Sequence, residues 1–552
     1  MSASDKKKLR KELNAAAMTE KQQAEQKKQK TNKAATITFI VSMVLVVVLV
    51  LTSVLITPVK NGLMNNTVAA KVGDKEISAT ELNYFYRDSI SNLVGKFSSY
   101  GDYAALYMQL YTGLNPAEAL DKQIRNKETK ETWADYFLNS AVDNAKWVYT
   151  LCAEAEKAGH KLSEEEQKTI DTTVSYMSIY ATLYGYSNTD GYIRTMYGSS
   201  ATLDSYKEYY TKCQLASSYA SAYLDGLKYT AENYREHEKD KMNEFNSYSW
   251  ASHYVKASDY LTFLKLGTVT KGDDGKDKTT YSEEDNKKAL DAAKADADVL
   301  AGGTYEKTED FDKAIGALAI NKDKKTPVTS TENLAVLYDT AKSGTTEEVL
   351  KWLTDAERKA GDVTLIPSTS KDSAGKETTN GYYVLYYIGS RDNTEINVGT
   401  VRHLLVAFAK DSKGNVTDAA KTAAKEKAEK LLKDFQNSGK QTELDFTKLI
   451  EKNSDDTKDG LYEDITPDSG YVKAFADWAT ADHKAGDVEI IETEYGYHIM
   501  YYVSCNELNY RDYLIDTELR TDAYKAWEEA LLKTVTAEKL NTRFMETDLV
   551  IG

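Results

Sequence analysis

Two histidines in apolar segments, with polar and aromatic residues between them, are the part of this chain whose residue types and spacing could do chemistry. His403 lies in Val401-Arg402-His403-Leu404-Leu405-Val406, and His498 lies in Tyr495-Gly496-Tyr497-His498-Ile499-Met500-Tyr501. Asn453-Ser454-Asp455-Asp456 and Tyr471-Val472-Lys473-Ala474-Phe475 fall between them. An imidazole can donate or accept a hydrogen bond, and its unperturbed pKa is about 6.5. These residues indicate a hydrogen-bonded site, whereas no Ser, Cys or His-Glu-x-x-His constellation favours a protease.

The elements that must position these residues follow from the spacing of the apolar positions. We predict a strand over 398–408, a long helix from Thr417 to about Gln436, a short helix from Phe446 to Lys452, a helix from Val472 to His483, and two strands between Asp487 and Ser504. Gly439 can supply the left-handed residue that ends the long helix. The strands alternate in polarity, which predicts an antiparallel sheet with one face on the helices.

This order of elements, with the segments His403-Leu404-Leu405-Val406 and Gly496-Tyr497-His498-Ile499, resembles the parvulin family of peptidyl-prolyl isomerases. The resemblance implies that His403 and His498 lie side by side on adjacent central strands. It also implies that Asp456 takes the place where family members carry Cys or Asp, that Thr493 hydrogen-bonds one histidine, and that Phe475 forms the wall of a proline pocket. The implied catalytic residues are His403, Asp456, Thr493 and His498, and the implied substrate-binding residues are Tyr471, Phe475 and Tyr495. No metal and no cofactor are expected.

The implied chemistry is rotation about X-Pro peptide bonds. The barrier is about 18–20 kcal/mol because the amide must lose its resonance, and the uncatalysed step takes tens to hundreds of seconds. An apolar pocket would disfavour the planar, polar ground state, while the histidine network fixes the hydrogen-bond polarity around it. Because the histidines would act through their tautomers, we expect protonation near pH 6.5 to perturb activity.

Three departures from the family pattern support a non-catalytic alternative. Tyr471 stands where the pocket usually has Met, and Tyr495 stands where a small residue is common. The glycine-rich stretch before the pocket is reduced to Asp459-Gly460-Leu461. The alternative is therefore a holdase chaperone or a surface scaffold that uses parvulin-like modules for binding. A surface adhesin would explain a repeat but not the paired histidines.

An internal repeat predicts a second, related module. Residues 352–366, with Trp352 and an Ala-Gly-Asp-Val turn, match 478–491, and residues 381–387 match 496–502. The first copy has Tyr383 where the second has His498, and His253 is the weak candidate counterpart of His403. We interpret the first copy as a degenerate parvulin-like module without the site.

The N-terminal residues predict a membrane anchor. Residues 1–33 carry ten Lys/Arg against four Asp/Glu, a net charge of +6, and residues 34–56 carry no charge. Such an apolar run is long enough to cross about 30 Å of hydrocarbon. The basic excess places the tail in the cytoplasm. We expect a single-pass protein of the cell membrane in a Gram-positive-type bacterium, with a signal peptide cut near Val68-Ala69-Ala70 as the alternative.

The part outside the membrane carries a net charge of −22, which is the chain's −16 less the tail's +6. This charge argues against nucleic acid as a partner. Three cysteines are too few for a disulfide framework. The expected partners are incompletely folded exported proteins that contain X-Pro bonds, and the membrane through the N-terminal helix.

The start of the exported part, Val68 to Ile77 followed by a capping-box spacing of Ser78 and Glu81, looks like the N-terminal domain of the PrsA and SurA foldases. Helical patterns continue to about residue 245 with recurrent tyrosines (Tyr176, Tyr180, Tyr184 and Tyr186). We interpret them as half-buried helix faces, with a surface that grips unfolded segments as the alternative. After Cys505 the chain reads as a helix that either completes the N-terminal domain, as the resemblance implies, or forms a homodimer contact.

The predicted architecture is α+β: a mainly helical chaperone-like domain completed by a C-terminal helix, two tandem parvulin-like modules of antiparallel sheet with surrounding helices, and one transmembrane helix. The predicted segments are a basic tail (1–33), an anchor (34–57), the helical domain (58–245), the degenerate module (246–392), the isomerase domain (393–505) and the C-terminal helix (506–552). The predicted function is a membrane-anchored extracytoplasmic foldase that isomerises X-Pro bonds.

Overall fold

The computed structural model describes residues 59–271, 276–371, 375–456 and 459–551. The predicted tail and anchor, 1–33 and 34–57, lie outside the described residues. Within the described ranges, no helix is both long and apolar enough to span a bilayer. The described chain is α+β with antiparallel sheets, as predicted, and it divides into two compact units.

The first unit comprises the described residues of Met1–Leu227 and Asp522–Gly552. Its helices are α1 (59–66), α2 (Ala79–Gly95), α3 (Ala104–Thr112), α4 (Trp133–Ala158), α5 (Glu164–Leu183), α6 (Thr189–Tyr197), α7 (Leu203–Gly226) and the later part of α17 (Tyr510–Lys533). Its strands are β1 (Val68–Val72), β2 (Lys75–Ser78), β3 (Ile124–Asn126), β4 (Glu131–Thr132) and β15 (Ala537–Lys539).

Local sequence signals explain how the helices of this unit begin. The Ser78 hydroxyl accepts a hydrogen bond from the Glu81 N–H and caps α2, but the Glu81 carboxylate does not complete the expected capping box. It accepts instead from Tyr149 Oη and Lys212 Nζ, both at 2.6 Å. Ser163 and Glu166 do form a full capping box at α5. The Glu81 carboxylate thus links α2 to α4 and α7.

The C-terminal residues return to this unit, although not as one helix. Helix α17 ends at Lys533, and β15 pairs antiparallel with β1. The β-branched run Thr534-Val535-Thr536 favours extended backbone over helix. Trp527 stacks on Tyr223 with ring centroids 4.1 Å apart, so the same chain covers this part of the apolar face of α17.

Several tyrosines on α5, directly after it and on α6 form an exposed ladder of rings. Tyr180 lies between Tyr176 and Tyr184, with ring centroids 6.4 and 6.3 Å away, and Tyr184 stacks on Tyr192 at 6.0 Å. Tyr180 is 41% and Tyr184 65% exposed. These rings are more open to solvent than the half-buried faces that we predicted.

The second unit comprises Lys228–Thr521, apart from the short gaps in the described ranges. Before β11, the helices of this unit are α8 (Ala231–Glu238), α9 (Ala257–Phe263), α10 (Glu283–Ala301), α11 (Thr308–Ala317), α12 (Tyr338–Gly344) and α13 (Glu347–Leu353). The strands of this part are β5 (Ser247–Lys256), β6 (Thr268–Lys271), β7 (Asp277–Thr280), β8 (Thr331–Leu337), β9 (Val363–Lys371) and β10 (Glu377–Arg391). The remaining elements are β11 (Gly399–Ala407), α14 (Asp418–Asn437), α15 (Glu443–Asn453), β12 (Leu461–Ile465), α16 (Lys473–Ala479), β13 (Val488–Glu492) and β14 (Gly496–Cys505).

This unit contains two four-stranded antiparallel sheets whose strands are ordered in the same way. The first sheet has the order β8-β5-β10-β9, and the second has the order β12-β11-β14-β13. In each sheet the first strand along the chain pairs with the last strand, and the two form the centre. Each sheet has a core on both faces. In the second sheet, Leu404 and Ile499 face α14 and α15, and Val401 and Met500 face α16.

One strand of the second sheet and one helix packed on that sheet differ from the sequence prediction. Strand β12 was not predicted, because its five residues include the polar pair Glu463-Asp464 and a left-handed Asp464 (φ 47°). Helix α16 ends at Ala479 rather than His483. Thr480 closes the helix, its hydroxyl donating to the Ala476 carbonyl, and the chain then turns toward Gly486.

Arg511, on the first turns of α17, ties together segments on both sides of the first sheet. Its guanidinium donates to the Glu238 carboxylate at 2.7 Å, the Asn246 side chain at 2.8 Å and the Met242 carbonyl at 2.9 Å. It also donates to the Asp392 carbonyl at 3.1 Å. A buried charge with this many partners is satisfied, so the tie fixes the segments before β5 and after β10.

Candidate active site

The register of β11 and β14 brings the two predicted histidines onto one face of the second sheet. His403 pairs with Met500, and Leu405 pairs with His498. Directly opposite residues of an antiparallel pair point to the same face, so His403 and His498 are diagonal neighbours. Their side chains are almost completely buried, with His403 2% and His498 6% exposed.

A continuous set of polar contacts joins four of the predicted site residues. The Nδ1 atoms of His403 and His498 lie 3.1 Å apart. On one side, Thr493 Oγ1 lies 2.9 Å from His498 Nε2. On the other, Asp456 Oδ2 lies 3.2 Å from His403 Nε2. The structure therefore brings together all four residues implied as catalytic.

These contacts determine where the protons lie when both rings are neutral. A carboxylate can only accept, so His403 Nε2 carries the proton that faces Asp456, and His403 Nδ1 is an acceptor. His498 Nδ1 then donates to His403 Nδ1, and His498 Nε2 accepts from the Thr493 hydroxyl. Thr493 Oγ1 in turn accepts from the Tyr495 N–H at 3.2 Å. The donor direction is the same at each step, running from Tyr495 to Asp456.

Backbone contacts hold Asp456 against β11. Ser454 Oγ accepts from the N–H groups of Leu405 at 3.1 Å and Asp456 at 3.2 Å. The Asp455 N–H donates to the Leu405 carbonyl at 2.8 Å. The start of the loop after α15 is thereby fixed to the strand that carries His403.

Gly460 permits the return of the chain to the same strand. Its carbonyl accepts from the His403 N–H at 2.8 Å, and it adopts a left-handed φ of 79°. A Cβ at this position would lie 2.6 Å from the His403 carbonyl oxygen. The reduced glycine stretch therefore retains the one glycine that this close approach requires.

An aromatic wall covers the histidine pair. Phe475 packs edge-on against His403 at 5.2 Å and lies 5.7 Å from His498 between ring centroids. Tyr471 contacts Phe475 at 5.3 Å. Phe475 is buried, whereas Tyr471 is 39% exposed and forms the rim. Tyr495 lies in the turn before β14, with its side chain 59% exposed.

Tyr462, which sequence reasoning missed, completes this wall. Its ring lies 4.9 Å from His403 and 5.3 Å from Tyr471, and its hydroxyl donates to Asp456 Oδ2 at 3.2 Å. Burial, and next the charge of Asp456, raise the pKa of the Tyr462 phenol to about 12. The only sequence signal for this residue was its place after Asp459-Gly460-Leu461, in the strand that was not predicted.

The pKa of His498 is lower than the value near 6.5 that we expected for the histidines. Burial, and next the proximity of His403, lower the pKa of His498 to about 4, although Asp456 acts in the opposite direction. The ring of His498 is thus neutral at physiological pH. The burial that causes this shift cannot be read from the sequence.

Among the described residues, the equivalent face of the first sheet carries no histidine. Gly381 pairs with Lys256 as Gly496 pairs with Ala407, so Tyr383 is equivalent to His498 and Ser252 to His403. His253, the weak candidate counterpart, lies one position further on and faces the opposite side of the sheet. Tyr254 and Tyr383 stack at 4.7 Å instead.

Comparison with known proteins identifies the domain that holds this site. Residues 403–504 match the rotamase family model described as a PPIC-type PPIase domain. This match confirms the predicted parvulin-type peptidyl-prolyl cis-trans isomerase domain. No curated protein matches the chain.

Two solved structures similar to the chain are peptidylprolyl isomerases named PrsA. The protein from Bacillus anthracis is 18% identical over 26% of this chain, with a TM-score of 0.16. The aligned part spans 59% of that protein. The protein from Bacillus cereus is 18% identical over 48% of this chain and 89% of its own, with a TM-score of 0.17.

The lowered pKa of His498 predicts a loss of stability in acid. Between about pH 4 and pH 6.5 the unfolded chain binds a proton at this ring that the folded chain excludes, so the stabilisation present above pH 6.5 is lost as the pH falls. We expect His498 to account for about 2–3 kcal/mol of the loss between pH 7 and pH 4.5. Urea unfolding of the wild type and of His498→Gln at both pH values measures this contribution. Identical pH dependence in the two proteins would contradict it.

Proposed function

We propose that this chain, whose residues 403–504 form a PPIC-type isomerase domain, is a membrane-anchored foldase that isomerises X-Pro bonds in exported proteins. The contact that carries the proposal is the 3.1 Å approach of the two Nδ1 atoms beneath an aromatic wall. We propose His403, Asp456, Thr493 and His498 as the catalytic residues, and Tyr471, Phe475 and Tyr495 as the substrate-binding residues.

The proposed mechanism uses the difference in polarity between planar and twisted amides. Moving a planar amide from water into apolar surroundings without a hydrogen bond costs roughly 2–7 kcal/mol. The twisted amide has lost its resonance and its charge separation, so a pocket against Phe475 raises the ground state more than the transition state. A selective effect of about 4 kcal/mol corresponds to roughly a thousandfold acceleration.

The histidine network would keep the pocket polarised in one sense. Because His498 Nδ1 donates to His403 and His498 Nε2 accepts from Thr493, neither ring has a spare proton to offer the planar carbonyl. Asp456 and Thr493 orient the rings from the two ends of the chain of contacts. No covalent step and no proton transfer to the substrate are required.

The two unusual tyrosines are partly exposed, whereas Phe475 and both histidines are buried. Tyr471 leans on Phe475 at the rim, and Tyr495 directs its side chain to solvent. We therefore propose that Tyr471 and Tyr495 bind the residues next to the proline.

We further propose that 246–392 is a degenerate parvulin-like module beside the isomerase domain (393–505). The common strand order of the two sheets supports this proposal. The replacement of both histidines, by Ser252 and Tyr383, leaves the first sheet without the polar pair. Its role would then be to bind polypeptide.

A second candidate function, that of a holdase, is favoured by the tyrosine ladder of α5 and α6. Exposed rings with wet hydroxyl groups can contact apolar side chains of many sequences without a fixed geometry. We propose that this helical domain (58–245), completed by the C-terminal segment (506–552), holds unfolded clients. Holding and isomerisation would then be separate activities of one chain.

Substitution of either histidine is expected to reduce catalysis. We expect His403→Ala and His498→Ala each to lower kcat/KM for X-Pro peptides by about 10–100-fold in the full-length protein, because each leaves its partner's Nδ1 unpaired. Catalysed cis-trans exchange of the peptide, followed by NMR, measures the rate. His160→Ala is the matched control and should retain the wild-type rate. Wild-type protein that accelerates no X-Pro peptide would contradict the isomerase proposal.

Removal of residues 1–57 is expected to release the chain from the membrane. The apolar run 34–56 is the segment that can span the bilayer, and the basic tail before it retains the N-terminus inside. Fractionation of cells should find the full-length chain with membranes and the shortened chain in solution. Protease added outside intact protoplasts should degrade the full-length chain. A full-length chain that is soluble, or protected from the protease, would overturn this part of the proposal.

Loss of two ladder tyrosines is expected to weaken client holding without affecting catalysis. The double variant Tyr180→Ser and Tyr184→Ser should bind a permanently unfolded polypeptide about tenfold more weakly, since each aromatic contact contributes roughly 0.5–1.5 kcal/mol. Fluorescence anisotropy of the labelled polypeptide measures the affinity. Tyr281→Ser, at an exposed tyrosine of the second unit, is the control. Equal affinity in all three proteins would exclude the ladder as the holding surface.

A further inference from the structure

A cleft of about 590 Å³ lies within the second unit, between the end of the first sheet and helix α16 of the second repeat. Leu334, Gly389 and Ser390 line one side, and Ala476 and Thr480 line the other. Its size is within the range of sites that bind ligands in proteins, about 300–1,000 Å³. Neither the family match nor the histidine pair accounts for it.

The cleft adjoins the proline pocket through Tyr471. The same side chain lines the cleft and contacts Phe475, whose ring covers His403 and His498. The partly exposed Tyr471 ring therefore separates the cleft from the aromatic wall over the histidine pair.

The two sides of the cleft are fixed to each other by a packed joint. Tyr510 donates from its hydroxyl to Asp468 at 2.6 Å and from its N–H to the Ile396 carbonyl at 2.8 Å. Leu337, at the end of β8, packs against the cluster of Ile396, Val398 and Tyr510. Pro467 and Ile396, which adjoin these contacts, line the cleft. The cleft is thus built into the packing of this unit.

The residues of β10 that line the cleft belong to a stretch of strand that has one edge without a strand partner among the described residues. Strand β5 pairs with β10 as far as Arg391, but β9 pairs with it only as far as Tyr386. Tyr387 is still bonded to the Gly361–Asp362 turn. In the part of the chain that the structure describes, residues 388–391 therefore have a strand partner on one side only. Such an edge can accept an extended peptide through main-chain hydrogen bonds.

We propose that this cleft binds the extended segment of the substrate polypeptide that flanks the X-Pro bond. The inference rests on the proposed isomerase function and adds a second subsite to it. The occupant is a polypeptide because the cleft shares Tyr471 with the isomerase site and is lined by the apolar side chains Leu334 and Ile396 and by charges of both signs at Arg391 and Glu395. The β10 residues that line it also have a strand edge without a strand partner in the described part of the chain. Main-chain recognition suits clients of varied sequence, since every residue presents the same backbone groups.

Peptides of different length, with the full-length protein, test the proposal. A four-residue X-Pro peptide is compared with twelve-residue peptides that extend the same core on its N-terminal or its C-terminal side. Affinity is measured by fluorescence anisotropy, and catalysed exchange by NMR. We expect one of the extended peptides to bind about tenfold more tightly than the short one, a difference of about 1.4 kcal/mol.

Ser390→Trp, at an exposed position of β10, should fill the cleft and abolish the advantage of length. Tryptophan suits a strand, so the sheet should be retained. Leu334→Asp is a second variant with the same expected direction, and Ser370→Trp, on exposed β9 outside the cleft, is the matched control. The rate for the four-residue peptide should stay within about twofold of wild type in every variant, because that peptide ends before the cleft.

Equal affinity for short and extended peptides would contradict the proposed binding role of the cleft. Catalysis of the short peptide would still leave the isomerase function in place. If extended peptides still bind more tightly than the short one in both Ser390→Trp and Leu334→Asp, the proposed binding role of the cleft is also contradicted. A length advantage that Ser390→Trp removes, in a protein that catalyses no exchange, would support the cleft and refute the isomerase function.

Discussion

The short contact between two imidazole nitrogens, held by the register of β11 and β14, is the constraint on which the site depends. Two Nδ1 atoms at 3.1 Å require one proton between them, so one ring must donate and the other accept. Each ring's second nitrogen must then match its own partner, Thr493 or Asp456. A shift of one residue in either strand would turn a histidine to the opposite face of the sheet. The first sheet shows this outcome at His253, which lies one position away from the equivalent of His403.

Because the two histidines are buried, each of their ring nitrogens needs a hydrogen-bond partner, and any nitrogen left unpaired would destabilise the folded domain. Unpaired polar groups in apolar surroundings cost about 1–3 kcal/mol each, so a partly matched histidine pair would destabilise the domain. Backbone contacts support the partners at both ends of the chain of hydrogen bonds. Thr493 receives its own donor from the turn before β14, and Ser454 fixes the backbone that presents Asp456. The polar network is thus supported by backbone contacts that depend on the same two strands.

The sequence was sufficient for the elements with strong periodicity and for the residues at their centres. Strand β11, helix α14 and the β13-β14 pair lie within a few residues of the predicted positions, because apolar positions recur along them at the expected spacing. Strand β12 was missed because it is short, polar and contains a left-handed Asp464, and Tyr462 was missed with it. The C-terminal strand β15 exists through its pairing with β1, a contact between distant residues that no local pattern contains. His253 was matched by residue type, whereas the face of a sheet is set by pairing. The titration of His498 was misjudged because its pKa depends on burial by residues distant in sequence.

The chemistry of amide rotation explains why binding next to the bond matters to such a site. Because the proposed mechanism has no covalent step, the effect of the pocket must come from interactions that differ between planar and twisted amides. An aromatic wall of three rings and one histidine pair is a small surface with which to hold a mobile chain. Binding energy from residues remote from the proline can offset the cost of placing a planar amide in apolar surroundings. The cleft that Tyr471 shares with the wall is where we propose that this chain supplies that energy. Under our proposal, residues 246–392 contribute to catalysis through binding, without a histidine pair of their own.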